Sequence, residues 1–263
     1  MIMPIRSGGR ASAPPNAVVA AAMNHSELLA LETTATRSWP AAEEERHGNW
    51  LLRANYGYTK RANSAYAVGA VEPGDLPLID DWYRSRSLPL YIREVSLHTN
   101  PGLGEQLTSR GFRRFDETLI MTIELTGSEP GDIQTVALDE WLRCFTRFEG
   151  ATKGDQRRHG ELIARIATPV ALAVAEADRD PVACGLGVCD GQWLGLFDIA
   201  TDPGRRRAGH GRRLVKEMLG WGGANGATGA WLQVLASNRA AIGLYEALGF
   251  REAYRAWYWR LGS

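Results

Sequence analysis

Apolar residues along the chain change repeatedly between helical and strand spacing. Leu28, Leu29, Leu31 and Trp39 follow Asn24 at helical intervals, and Glu27, three places after Asn24, completes a capping box. Glu43–Arg46 lacks apolar positions and reads as a solvated stretch. Trp50–Arg53 and Ser64–Val68 read as strands on either side of the polar, turn-rich segment Asn55–Asn63. Pro73-Gly74-Asp75 opens a helix in which Leu76, Leu78, Ile79, Trp82 and Tyr83 recur. Leu90–Val95 is a short strand, Gly104–Arg110 a short helix capped by Gly111, and Leu119–Leu125 a strand. Gly127, Pro130 and Gly131 then interrupt the pattern, and the domain boundary is placed in Glu124–Asp132.

Beyond that boundary, helices are expected at Ile133–Phe148 and Asp155–Ala167. Strands follow at Ala171–Ala175, Cys184–Cys189 and Trp193–Ala200, the first two joined through Asp178-Arg179-Asp180-Pro181. A helix over Arg207–Gly222, a strand over Ala230–Leu235, a helix over Asn238–Leu248 and two short aromatic strands close the chain. This order predicts an α/β or α+β fold, a mixed twisted sheet flanked by helices. Thr108-Ser109-Arg110-Gly111-Phe112 and Glu246-Ala247-Leu248-Gly249-Phe250 each lie between a helix and a strand. That echo fits two similar domains in tandem, at 24–126 and 132–263; two ordinary glycine caps would also produce it. Residues 1–23 are expected to be a flexible N-terminus: Pro14, Pro15 and Asn16 break the only stretch near a signal peptide.

Composition narrows the function. With 44% apolar residues the chain can build a core. Thirty basic residues balance thirty acidic ones, which disfavours a broad nucleic-acid or membrane surface. No run of 18 apolar residues occurs. Cys144, Cys184 and Cys189 form no disulfide framework and have no metal-ligand spacing, so no metal is expected, and a reducing, cytoplasmic setting fits.

One segment concentrates chemistry. Phe197-Asp198-Ile199-Ala200-Thr201 leads through Asp202-Pro203-Gly204 into Arg205-Arg206-Arg207-Ala208-Gly209-His210-Gly211-Arg212-Arg213. A strand thus enters a helix through a glycine-rich, strongly basic loop. Backbone N–H groups at such a junction form a nest for an anion, with phosphate or pyrophosphate the natural ligand. The bland alternative is a solvated, charged helix face. Gly-Lys-Ser/Thr and Gly-x-Gly-x-x-Gly are both absent, which disfavours a nucleotide P-loop and a dinucleotide site.

Arg206-Arg207-Ala208-Gly209-His210-Gly211 resembles the Arg/Gln-x-x-Gly-x-Gly/Ala signature of the GCN5-related N-acetyltransferases. Asn238-x-x-Ala241-x-x-x-Tyr245-x-x-x-Gly249-Phe250 is similar to that family's closing motif. The resemblance covers about residues 132–260. It implies acetyl-CoA as cofactor, its pyrophosphate on the loop Arg206, Arg207, Ala208, Gly209, His210, Gly211 and Arg212. The pantetheine arm would pair with Ile199, Ala200 and Thr201, with Asn238 and Ala241 nearby. Tyr245 would be the general acid at the sulfur, unless it is merely packed against the sheet. Asp198 is the candidate general base or amine anchor; strand alternation points it opposite to Phe197 and Ile199, and its alternative role is a structural acid paired with an arginine.

The expected reaction is direct transfer to a primary amine, of a small molecule rather than of a protein, by a monomer or homodimer. An acyl-CoA sensor without turnover, a protein or peptide acetyltransferase and a vestigial fold are the rivals. No Arg-x-x-Gly-x-Gly loop precedes residue 125, so the first domain is expected to be degenerate. Arg53, Asn55, Thr59, Arg61 and Asn63 would then help shape the acceptor pocket, or belong to a surface hairpin.

Overall fold

A computed structural model of the chain describes residues 23–98, 100–126 and 133–262. The expected flexible terminus therefore lies outside the described residues except for Met23, and so do Gly127, Pro130 and Gly131 of the expected boundary. Helix α1 (His25–Arg37) starts at the anticipated capping box: Asn24 accepts from the Glu27 N–H at 3.1 Å, and Glu27 accepts from the Asn24 N–H at 2.8 Å. Strands β1 (Glu43–His47), β2 (Trp50–Ala54) and β3 (Ala65–Ala67) run antiparallel. Helix α2 (Leu76–Arg84) then returns the chain to β4 (Ile92–Val95), parallel to β3. Helix α3 (Leu103–Ser109) and the long strand β5 (Phe112–Glu124) follow.

The second half repeats this succession with two helices, α4 (Leu138–Glu149) and α5 (Lys153–Ile163), where the first has α1 alone. Strands β6 (Val170–Ala177), β7 (Asp180–Asp190) and β8 (Trp193–Thr201) are antiparallel. Helix α6 (His210–Ala224) leads to β9 (Gly229–Leu235), parallel to β8, and α7 (Arg239–Ala247) leads to β10 (Arg251–Leu261).

The strands form one sheet in the order β1-β2-β3-β4-β10-β5-β9-β8-β7-β6. Read from either end, each strand meets the strand five places away in the chain. The halves also exchange their closing strands: β5 pairs with β9, and β10 pairs with β4, while β5 and β10 pair with each other along the middle. Sheet faces follow the usual period of two. Helices α1, α4 and α5 cover one face around Trp141, Leu186 and Phe197, and α6 and α7 cover the other around Leu196, Met218 and Ile242. A third cluster packs α2 and α3 on Trp50, Leu52 and Ile92.

Three expectations need correction. Glu43–Arg46 is exposed, as a solvated stretch would be, but it is extended: it forms most of β1, an edge strand that carries charge as edges commonly do. The two closing aromatic strands are one, β10, whose alternation is interrupted by two register shifts. The helix expected from Ile133 begins only at Leu138, after Thr135 bridges to Ala173.

Candidate active site

Strands β8 and β9 run side by side from Trp193 and Gly229 to the pair Leu196–Leu232, where their pairing ends. From Phe197 onward the edge of β8 facing β9 has no ladder partner. Against β7, the register slips between Cys184–Ala200 and Leu186–Phe197, so Asp198 and Ile199 form a bulge on β8. Asp198 has φ +51°, a left-handed conformation that aspartate tolerates better than most residues. Simple alternation therefore fails at Asp198, and the bulge re-aims the side chain.

The redirected carboxylate lines a cavity of about 250 Å³ with Trp39, Thr59, Lys60, Arg61, Asp116, Thr118, Gln233, Leu235 and Tyr258. Both strands of the parting pair thus reach it, β8 through Asp198 and β9 through Gln233 and Leu235. Asp116 also sits on a bulge, between the pairs Phe115–Tyr258 and Thr118–Ala256, and has φ +50°. Lys60 forms an ion pair with Asp116 and lies over the rings of Phe115 and Tyr258. Arg61 lies over Trp39 and Phe197, 5.4 and 5.3 Å from their ring centres.

The partner of Asp198 is not an arginine. Its Oδ2 lies 2.9 Å from Nε2 of His159 on α5. That imidazole is 2% exposed and boxed by the rings of Trp39, Tyr58, Trp141 and Phe145, while the carboxylate keeps 20% of its surface. Burial, helped by the Asp198 and Asp155 charges, pushes the Tyr58 hydroxyl well up from its ordinary value. His159 escaped the sequence reading because it meets Asp198 across 39 residues. The visible signal was a histidine one place before Gly160 and on the same helix as Leu162 and Ile163, both buried.

Of the other predicted residues, Ala200 packs with Trp141 and Phe197, while Ile199, Ala241 and Tyr245 lie on the α6–α7 side of the sheet. Gly209 is the N-cap of α6 at φ +81°, and a Cβ there would meet nothing within 4 Å. Gly211 packs so closely on Thr201 that a Cβ would stand 3.1 Å from its Oγ1. The N–H groups of Arg206 through Arg212, the segment that includes Ala208 and His210, have no hydrogen-bond partner among the described residues. Arg206, Arg207 and Arg212 are exposed, with no carboxylate within 4 Å among those residues. Their neighbours Arg205 and Arg213 instead face Asp178 and Glu217. Open space, unpaired amides and free guanidinium groups together suit a pyrophosphate.

Asn238 caps α7, its Oδ1 accepting from the Ala241 N–H at 3.1 Å, so that this amide is already paired. Tyr245 is 8% exposed and meets Phe250 edge-on. Its hydroxyl has no hydrogen bond among the described residues, and burial pushes it up to about 12. Ile199 is half-buried and Ala200 buried on β8. All three thiols are free and buried, and burial raises each.

Of the five polar residues from the first half, Thr59 and Arg61 line the cavity. Arg53 is wholly buried and donates to the backbone oxygens of Thr36, Trp39 and Arg61. Asn63 accepts from the N–H groups of Asn55 and Gly57 and donates to the oxygens of Tyr58 and Thr59. These residues, with Asn55, hold the loop that presents Thr59, Lys60 and Arg61.

The family model described as probable histone acetyltransferase Rv0428c C-terminal matches residues 25–259. The chain belongs to this family of GCN5-related N-acetyltransferases. It is 31% identical over 233 residues to the probable histone acetyltransferase Rv0428c of Mycobacterium tuberculosis, covering 85% of this chain and 70% of that protein. It is 29% identical over 236 residues to the uncharacterized N-acetyltransferase YobR of Bacillus subtilis, covering 85% and 94%. The solved structure of a GCN5-related N-acetyltransferase from Kribbella flavida shares the fold, with a TM-score of 0.64 at 17% identity over 93% and 97% of the two chains. The acetyltransferase has no helix, among the described residues, long and apolar enough to cross a membrane.

Proposed function

We propose that this acetyltransferase uses acetyl-CoA to acetylate a primary amine of a small molecule, bound in the cavity between the two halves. One observation carries the reading. Strands β8 and β9 part at Leu196–Leu232, and both continue into the walls of a cavity lined by two carboxylates and two cations. A cavity of about 250 Å³, partly roofed by Trp39 and the Thr59–Arg61 loop, suits a small molecule better than a lysine on a folded protein surface.

The N–H groups and arginines of Arg206–Arg212 would hold the pyrophosphate, and the unpaired edge of β8 at Ile199, Ala200 and Thr201 would hold the arm. Acetyl-CoA supplies the acetyl group as a thioester, whose C–S bond is exchanged for the amide C–N bond. The chain's residues manage the two protons. Asp198 takes the proton that the amine nitrogen must lose, while its hydrogen bond to His159 fixes the carboxylate's direction. Backbone N–H groups beside Ile199 stabilise the developing oxyanion. Tyr245 stays protonated throughout the neutral range, because burial lifts its hydroxyl up to about 12, and donates to the departing sulfur. Asn238 and Ala241 order the start of α7 and so place Tyr245.

Calorimetric titration with acetyl-CoA, followed by a thiol-release screen of amines, tests this. Binding with turnover of small amines is the expected result. Binding without any turnover would point to an acyl-CoA sensor, and transfer only to peptides or proteins would overturn the small-molecule reading.

A further inference from the structure

Among the described residues, Arg61 is the charged group of the cavity wall whose side chain has neither an ion-pair nor a hydrogen-bond partner. Lys60 is committed to Asp116, and Asp198 to His159. Arg61 rests beside the stacked rings of Trp39, just after α1, and Phe197 on β8, and none of its side-chain N–H groups has an acceptor among the described residues. Its backbone carbonyl is fixed by Arg53 and by the Tyr66 hydroxyl, so that the residue is anchored from behind. A half-buried guanidinium with donors facing a cavity is poised for a planar anion, which it can bind through two parallel hydrogen bonds. Phe197, under Arg61, is the residue immediately before Asp198. The free cation and the carboxylate that receives the amine therefore stand on adjoining parts of one small wall.

From this juxtaposition we infer that the acceptor is an amine that also carries a carboxylate, an amino-acid-like zwitterion. Arg61 takes its carboxylate, and Asp198 faces its amino group. The stacked rings of Trp39 and Phe197, 5.1 Å apart, support Arg61 from one side and leave its N–H groups to select a carboxylate by charge and hydrogen bonding. Both groups line one cavity of about 250 Å³, which favours an acceptor whose anion and nitrogen belong to the same small molecule. This inference rests on the proposed acetyl-CoA reaction and narrows its substrate.

Matched pairs of an amino acid and its decarboxylated amine provide the test: phenylalanine with phenethylamine, lysine with cadaverine, and glutamate with γ-aminobutyrate. The last pair retains one carboxylate and asks how far it can lie from the nitrogen. Calorimetry with acetyl-CoA comes first, so that failure of the cofactor reading shows itself separately. For wild type, kcat/KM should favour the α-carboxylated member by roughly tenfold or more in at least one pair. Arg61→Gln should collapse that ratio, chiefly through KM, and Arg61→Lys should restore part of it. Stabilisation of the protein against heat by the preferred amino acid, in the absence of acetyl-CoA, should also be lost in Arg61→Gln.

A purely structural Arg61 would lower both members of a pair equally and leave the ratio intact, which overturns the inference. So does preference for the decarboxylated amines. Acetyl-CoA binding with no turnover of any carboxylated amine overturns it as well, while sparing the cofactor reading. Absence of acetyl-CoA binding overturns both.

Discussion

The two halves share a strand order and differ in what stands at the same place. In each, a third strand leads through a turn into a helix and then into a parallel fourth strand. Before α6, that turn carries arginines and unpaired amides around Gly209. Before α2, it carries Glu72 and Asp75, and Pro77 removes an N–H from the first turn. The charge and free amides at one helix start suit an anion, and the acidic residues at the other oppose one. Where β8 and β9 part, their last pair is Leu196–Leu232; where β3 and β4 part, it is Tyr66–Arg93. Arg93 is buried against Glu32 of α1, which also accepts from the Tyr254 hydroxyl of β10. One half keeps its gap, and the other has filled it with an ion pair. A topology specifies where a site can exist; the side chains at two positions decide whether it does.

The sharpest way to break this comparison is to place a negative charge at each turn. Gly209→Glu should lower acetyl-CoA affinity by ~100-fold or more, since like charges brought together cost several kcal/mol. Gly74→Glu, where a Cβ meets nothing within 4 Å, should leave the calorimetric titration unchanged. Equal losses would mean that the halves are not functionally distinct.

Removing one partner of the plug in the first half should act on stability instead. Arg93→Leu leaves Glu32 buried without its counter-ion, and denaturant melts should show a loss of about 3–5 kcal/mol. The next effect returns to the cavity. Asp198→Asn keeps a residue tolerant of φ +51°, yet removes the base, so kcat should fall by ~10²–10³-fold with acetyl-CoA affinity retained. Unchanged kcat would exclude Asp198 as the base.

Tyr245→Phe should be the mildest: about tenfold in kcat, with little change in melting, because the hydroxyl has no partner to lose among the described residues. Burial raises Tyr245 in the fold from 10.0 to about 12. Above pH 10 the unfolded chain gives up that proton first, so stability should fall between pH 10 and about 12 and level off beyond. Urea melts of wild type against Tyr245→Phe over this range should show a shallower fall for the variant.

The order of helices and strands was largely legible in the sequence, because strand and helix spacing are local. The Asn24–Glu27 box and the run from Thr201 into α6 are where expected. β1 was not, because an edge strand of Glu-Glu-Glu-Arg-His has no apolar face to show. The bulge at Asp198 was also invisible: one extra residue leaves no compositional mark, yet it reverses the direction that alternation assigns. His159, Lys60, Asp116 and Gln233 belong to the cavity through contacts between distant segments, which periodicity does not encode. Thr59 and Arg61 could be anticipated as pocket residues, whereas Arg53 and Asn63 serve the backbone of the loop around them.

The exchanged strands have a consequence for synthesis. A nascent chain that has released residues 25–250 from the ribosome still lacks β10, the strand seated between β4 and β5. Until β10 emerges, β4 and β5 both have an open edge, and nothing joins β1–β4 to the rest of the sheet. The first half therefore cannot mature as it leaves the exit tunnel, in the way an independent domain can. Both halves must wait for the same eleven residues, and a chaperone would find its client's exposed edges at the molecule's centre, not at its rim.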